Sequence, residues 1–272
     1  MKKLTFILVL LAVLFLSSCS EKDNPTDVPP VDTNVYGYQL DQFISQAAVH
    51  DLITTSATDT TDYRGLFGYE IVGADGFTPR ASVNAGYDLP WDSYKEGFFV
   101  PSKENKTWFN PTLGIPGAFK VKNAETFRLY RKVNVIANGD TTMVELRGLT
   151  IHSVANWSGT NEDAIKLSDL FQGFTAFDSA ILYAPDGYNK TYTPEQIADG
   201  YYLLASEVTT FPNFNTTTTS SGQWKLKKLA DISVTTTETQ NHAFGNAAAE
   251  TANISFTMPT DLSGFTKVVI PY

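Results

Sequence analysis

The chain has 272 residues, 42% hydrophobic, 13% aromatic and 18% charged, with 20 Lys and Arg against 29 Asp and Glu and a formal net charge of −9. That balance is globular rather than disordered, fits one large or two ordinary domains, and favours strands over long helices. An acidic surface excludes nucleic acid and charge-bound anionic lipid as partners, because both need a basic face. The single cysteine, Cys19, excludes an internal disulfide and a thiolate metal cluster. His50, His152 and His242 match no metal-binding spacing.

Met1-Lys2-Lys3 is a positive start, and Leu4 to Leu16 is almost wholly apolar, the length of a signal-peptide core and short for a membrane span. It ends Leu16-Ser17-Ser18-Cys19, which resembles a bacterial lipobox. Residues 1–18 are therefore expected to be a lipoprotein signal peptide, with Cys19 lipidated by palmitate-type acyl chains; two or more chains anchor a protein stably in a membrane. Loss of Lys2 and Lys3 makes the net charge two units more negative than −9. Ser20 after the cysteine fits outer-membrane retention, and Ser20-Glu21-Lys22-Asp23 resembles the short acidic signal that exports some lipoproteins to the cell surface. Residues 19–34 carry Pro25, Pro29 and Pro30 and read as the lipidated Cys and a linker.

A first module is expected over 35–140. Apolar residues at helical offsets run from Leu40 to Leu52, and Tyr63 to Val72 is a dense β-type run. Asp75-Gly76 marks a turn, Trp91 to Glu96 a helical turn that Gly97 stops, and Phe98-Phe99-Val100 a buried strand. Pro101 to Gly117 is a long irregular stretch, the kind that carries binding function or merely caps a core through Trp108 and Phe109. Ala118 to Lys122 and Phe127 to Val135 alternate like half-exposed strands, and Asn138-Gly139 signals a hairpin into Thr142–Leu146.

A second module is expected over 141–234. Val144 to Val154 reads as a strand, and Ile165 to Phe171 as a short amphipathic helix. Ile181 to Ala205 then repeats an order met earlier: Asp186-Gly187-Tyr188 answers Asp75-Gly76-Phe77, and Gly200-Tyr201-Tyr202 answers Gly97-Phe98-Phe99. Thr193-Pro194-Glu195-Gln196 is an N-cap, a proline at the first helical position and good helix formers. Trp224-Lys225-Leu226-Lys227 answers Phe119-Lys120-Val121-Lys122. Residues 235–272 read as a C-terminal strand extension with strands at Ile254–Met258 and Phe265–Ile270. The fold class expected is α+β, β-rich with mixed sheets, few short helices and two pseudo-repeated modules.

The order Leu167-Ser168-Asp169-Leu170-Phe171, Asp186-Gly187-Tyr188, Gly200-Tyr201-Tyr202-Leu203-Leu204-Ala205 and Lys228 to Val234 resembles the oxidoreductase molybdopterin-binding domain of the sulfite-oxidase type. The likeness spans about Glu145–Val234 and, more faintly, Tyr38–Val135. It implies a fold. The family binds molybdenum through a cysteine thiolate, a soft ligand suited to that metal, and neither copy here has a cysteine. No molybdenum site, catalytic residue or cofactor is carried over.

No GxSxG elbow, HExxH, Walker loop or GxGxxG after a strand is present. Asp75 and Asp186 suit Asp-Gly turns, with acid–base work as the competing role. Arg64 and Arg80 are candidates for gripping an anionic ligand with a guanidinium fork, against ordinary ion-paired surface arginines. Trp91 and Trp108 are candidates for stacking on a sugar or apolar ligand, against simple core residues. Asp59-Thr60-Thr61, Asp140-Thr141-Thr142 and Asp178-Ser179-Ala180 resemble bacterial O-glycosylation sites.

The function expected is a non-catalytic outer-membrane or cell-surface lipoprotein, membrane-anchored at Cys19. It binds a glycan, a small ligand or an envelope protein partner through its tandem modules. The alternatives are a redox or hydrolytic enzyme with a cofactor held without cysteine, and a structural envelope subunit.

Overall fold

A computed structural model describes residues 33–82, 88–171, 174, 176–213, 225–237 and 251–272. The signal peptide, Cys19, the linker to residue 32, Trp224 and His242 lie outside the described residues. The chain divides into Met1–Asn34 and one compact unit, Val35–Tyr272. The latter is α+β and β-rich, with antiparallel and mixed sheets and few, short helices.

Strand β1 (Val35–Gln39) enters a 3-10 turn at Leu40–Phe43, and helix α1 (Gln46–Ile53) starts afresh behind it. The apolar periodicity suggested one continuous segment. Ser45 breaks it: its hydroxyl accepts from the Ala48 amide at 3.2 Å and caps a new helix. A loop then leads through a 3-10 turn at Tyr63–Leu66 into β2 (Phe67–Gly73), every residue of which is buried. Next come α2 (Pro79–Ser82), β3 (Leu89–Pro90), α3 (Trp91–Tyr94), β4 (Phe98–Val100), β5 (Lys106–Trp108) and the fourteen-residue β6 (Ala124–Ala137). Asn138 and Gly139, both at positive φ, turn the chain into β7 (Asp140–Glu145).

There follow β8 (Ile151–Ala155), β9 (Asn161–Lys166), β10 (Ser179–Tyr183), β11 (Asn189–Tyr192), α4 (Pro194–Asp199), β12 (Tyr201–Leu203), β13 (Val208–Thr210) and β14 (Asp231–Thr235). Strands β15 (Ile254–Thr257) and β16 (Lys267–Ile270) end the chain. Thr193 and Gln196 close a reciprocal capping box at the start of α4, as the sequence led us to expect.

A central sheet runs β11-β10-β14-β6-β2-β3, flanked by four-stranded sheets β16-β1-β4-β5 and β13-β12-β9-β8. Pairings recur between the two ends. Tyr38 faces Phe99, and Ile165 faces Tyr202. Phe99 faces Thr107, and Tyr202 faces Thr209. Ile71 faces Phe127, and Leu182 faces Ile232. Thr107 Oγ1 accepts from the Val121 amide at 2.8 Å, and Thr209 Oγ1 from the Leu226 amide at 2.9 Å. Gly97 and Gly200 recur for packing: a Cβ on Gly200 would lie 2.6 Å from Leu167 and Phe211, and one on Gly97 would strike Leu40 and Phe109.

Two apolar cores flank the long strand. Phe127 and Leu129 of β6 belong to a core with Leu40, Tyr69, Tyr94 and Phe119, whereas Val133, Val135 and Ala137 belong to one with Leu167, Leu182, Tyr202 and Leu229. The strand thus carries one core into the other. The C-terminal strands return to the first: β16 pairs with β1 and β15 with the start of β6.

Two expected strands differ. The stretch from Ala118 to Lys122 contains a 3-10 turn at Gly117–Phe119 and no strand, because Thr107 takes the Val121 amide with its side chain. The run from Val144 to Val154 is split by a 3-10 turn at Leu146–Gly148, which buries both Leu146 and Leu149.

Candidate functional site

A cavity of about 570 Å³ opens between the loop after α1 and the turn after β10. One wall is the loop after α1, with Asp59, Thr61 and Tyr63; the other is the turn after β10, with Ala184, Pro185, Asp186 and Tyr188. Lys225, Lys227 and Lys228, from the segment that leads into β14, line it too.

Each wall is fixed locally. Asp59 Oδ1 accepts from the Thr61 amide at 3.0 Å, Oδ2 accepts from the Tyr63 hydroxyl at 2.5 Å, and its carbonyl accepts from His50 Nε2 at 2.8 Å. Asp186 Oδ1 accepts from the Tyr188 amide at 3.0 Å, with Gly187 at φ 84. Asp75 repeats this with Phe77 at 3.0 Å, so both Asp-Gly pairs have the side-chain turn geometry. The turn leaves Tyr188 49% exposed, with the Lys190 ammonium 5.6 Å from its ring centroid.

Lys228 is the hinge of the site. Its amide donates to the Glu207 carbonyl at 2.7 Å in a left-handed conformation, φ 56. Asn123 holds the corresponding conformation at φ 46 and donates to Glu104 at 2.9 Å. Asparagine adopts this region readily and lysine does not, which costs on the order of 1–3 kcal/mol. The backbone delivers the ammonium to the Asp59 carboxylate and the Tyr63 hydroxyl, hydrogen-bonded to both and 4.5 Å from the Tyr63 ring centroid.

The hydrogen bond from Lys228, helped by Tyr63 and Thr61, holds the Asp59 carboxyl well below the usual carboxylate range. Burial pulls the Lys228 ammonium down, but the bonds to Asp59 and Tyr63 outweigh it and raise its pKa. Both groups therefore stay ionised at neutral pH and are poorly matched to proton transfer, which works best with a pKa near the operating pH. The arrangement suits binding. Lys225 stands 4.4 Å over the Trp157 ring, whose Nε1 donates to the Thr209 carbonyl at 2.9 Å, and Lys227 is exposed.

The residues singled out from sequence lie elsewhere. Arg64 forks onto Asp62, with Nη2 at 2.7 Å, and stacks 4.3 Å over Trp91, which packs half-buried on Tyr69 and Tyr94. Arg80 forks onto the buried Asp88 at 2.7 and 3.0 Å, reaches Glu145 and stacks 3.6 Å over Tyr130. Trp108 is 6% exposed, packed with Val100 and Ile270. Arg64 and Trp91 are thus brought together, and none of the four lines the cavity. His50 supports the Asp59 loop and His152 lies edge-on to Tyr201. Among the described residues no group of three or more His, Cys, Asp or Glu is placed to hold a metal ion, and no helix is long and apolar enough to cross a membrane.

No protein-family model matches the chain, and neither the curated proteins nor the solved structures yield a match.

In the sequence, Lys225-Leu226-Lys227 stood out as a repeat landmark and Asp186-Gly187-Tyr188 as a repeat landmark and an Asp-Gly turn with acid–base work as the competing role, neither as part of a shared pocket. The missed signal is a difference between the copies: Lys228 stands where the earlier turn has Asn123.

Proposed function

We propose that the protein is a lipid-anchored binding protein of the outer membrane, exposed at the cell surface. It takes a small ligand in the cavity between the Asp59 loop and the Asp186 turn. The observation that carries this reading is the lining of the cavity of about 570 Å³, not its size, which other hollows of the molecule share. The cavity is walled by the Tyr63 and Tyr188 rings and three lysines. The ion-locked state of Asp59 and Lys228 supports binding over acid–base chemistry. The anchor rests on the Leu16–Cys19 lipobox.

The same reading takes the chain as two diverged copies of one module, resembling the sulfite-oxidase-type molybdopterin-binding fold without its metal. The recurring registers of β1-β4-β5 and β9-β12-β13 support duplication, and the motif order supports the family likeness.

The test is isothermal titration of the full chain in detergent against a panel of neutral and acidic oligosaccharides, with Tyr188→Ala as control. Saturable binding that Tyr188→Ala weakens is expected. Failure of every saccharide to bind would overturn the small-ligand reading. Metabolic labelling with a palmitate analogue should mark the wild type and leave Cys19→Ser unlabelled.

A further inference from the structure

Building on that binding pocket, we infer that its ligand is a saccharide bearing one negative charge per ring, a uronate or a sugar sulfate, whose anion replaces the Asp59 carboxylate on Lys228.

Charge supports the anion. The whole chain is at −9, yet three lysines, Lys225, Lys227 and Lys228, line one cavity against two carboxylates, Asp59 and Asp186. A local positive field in an acidic protein selects for an anion that the rest of the surface repels. Lys228 reaches the cavity through a left-handed backbone that disfavours its side chain, where the corresponding turn carries asparagine.

The occupant of that ammonium is instructive. Asp59 belongs to a loop and binds Lys228 through its carboxylate oxygen, with Tyr63 hydroxyl on both. This is the geometry in which a ligand carboxylate or sulfate would be held by an ammonium and a hydroxyl donor. Asp59 is thus an internal stand-in for the ligand's anion, and an incoming anion competes with it.

The balance of charge limits the ligand further. Asp59 and Asp186 also line the cavity. Two carboxylates repel a polyphosphate but accept hydrogen bonds from hydroxyl groups, so the site suits a ligand with many hydroxyls and few charges. The exposed Tyr188 ring offers an apolar face with a polar tip for a sugar ring.

The experiment titrates the full chain with digalacturonate, its neutral dimethyl ester, galactose 6-sulfate and ADP, in wild type, Asp59→Asn, Lys227→Met and Tyr188→Ala. Asparagine keeps an acceptor oxygen for the Thr61 amide and turns an Nδ2 donor to the Tyr63 hydroxyl, which can accept, and Lys227 is exposed, so both charge variants should fold. An acidic sugar should bind about tenfold more tightly than the ester, about tenfold more tightly again to Asp59→Asn, and about tenfold more weakly to Lys227→Met. Preference for digalacturonate or for galactose 6-sulfate distinguishes carboxylate from sulfate. If ester and acid bind equally, or Asp59→Asn leaves acid binding unchanged or weaker, the inference fails. The pocket reading survives that result provided Tyr188→Ala still abolishes binding. Tighter binding of ADP than of either acidic sugar also overturns the inference, and no binding by any probe overturns both.

Discussion

Lys132 gives the sharpest test of the fold's electrostatics. It sits on β6 with 3% of its surface exposed, and its Nζ donates to Asn134 Oδ1 at 2.8 Å. Asn134 in turn donates to Asp231 at 2.7 Å. Burial pulls the Lys132 ammonium from 10.5 down to about 8; Arg131 adds to this, while Asp231 and Asp92 oppose it. Below pH 8 both the folded and unfolded states carry the proton, and the burial penalty is fully present. Between about 8 and 10.5 the unfolded chain binds more protons than the folded one, so stability rises with pH. The gain approaches about 3 kcal/mol over the whole window, at about 1.4 kcal/mol per pH unit. Above 10 the effect is opposed, because burial raises the pKa of Tyr69, Tyr94 and Tyr202 and the folded state resists their ionisation.

Urea denaturation of wild type and Lys132→Met should therefore be compared from about pH 7 to just below 10, with the slope rather than the level as readout. The wild type should gain stability as pH rises, and the variant, of similar volume, should lose that gain. A flat or falling wild-type profile, or an unchanged slope in Lys132→Met, would refute the burial argument.

Three further outcomes can be measured by the same denaturation. Arg131 and Glu207 form a buried pair, Nη2 to carboxylate 2.7 Å, with Arg131 also donating to the Leu229 carbonyl at 2.7 Å. Glu207→Gln should cost about 3–5 kcal/mol by leaving a charge unpaired inside, and a loss under about 1 kcal/mol would mean that water reaches the guanidinium. Gly200→Ala drives a methyl to 2.6 Å from Leu167 and Phe211, and a loss of about 1–3 kcal/mol is expected; no loss would show that this corner is loosely packed. The Tyr94 hydroxyl is buried with no hydrogen-bond partner among the described residues. Tyr94→Phe should be neutral or stabilising by about 1 kcal/mol, and a clear destabilisation would reveal an ordered water bonded there.

The legible parts of the fold were local. Thr193-Pro194 and Gln196 made a capping box, Asn138-Gly139 a hairpin, and Asp75-Gly76 and Asp186-Gly187 turns, because each depends on residues within a few positions. The repeated Gly-aromatic pairs were visible as well, but their reason was not. Gly97 looked like a helix stop, whereas Leu40 and Phe109 leave no room for a side chain there.

The site was less legible, since its parts are separated by more than a hundred residues. Arg64, Arg80, Trp91 and Trp108 looked available because sequence gives no count of neighbours; Asp62, Asp88 and Glu145 engage the arginines and a packed core takes Trp108.

By itself, the sequence determined the β-rich character, the turns, the caps and the repeated order of short motifs, all set by near neighbours and by side-chain periodicity. Only the tertiary structure decided that β6 joins two cores, that β16 returns to β1 and β15 to β6, and that Asp59 meets Lys228. Those contacts arise from chain closure over long distances, where packing and charge neutralisation select one partner among many that are locally equivalent.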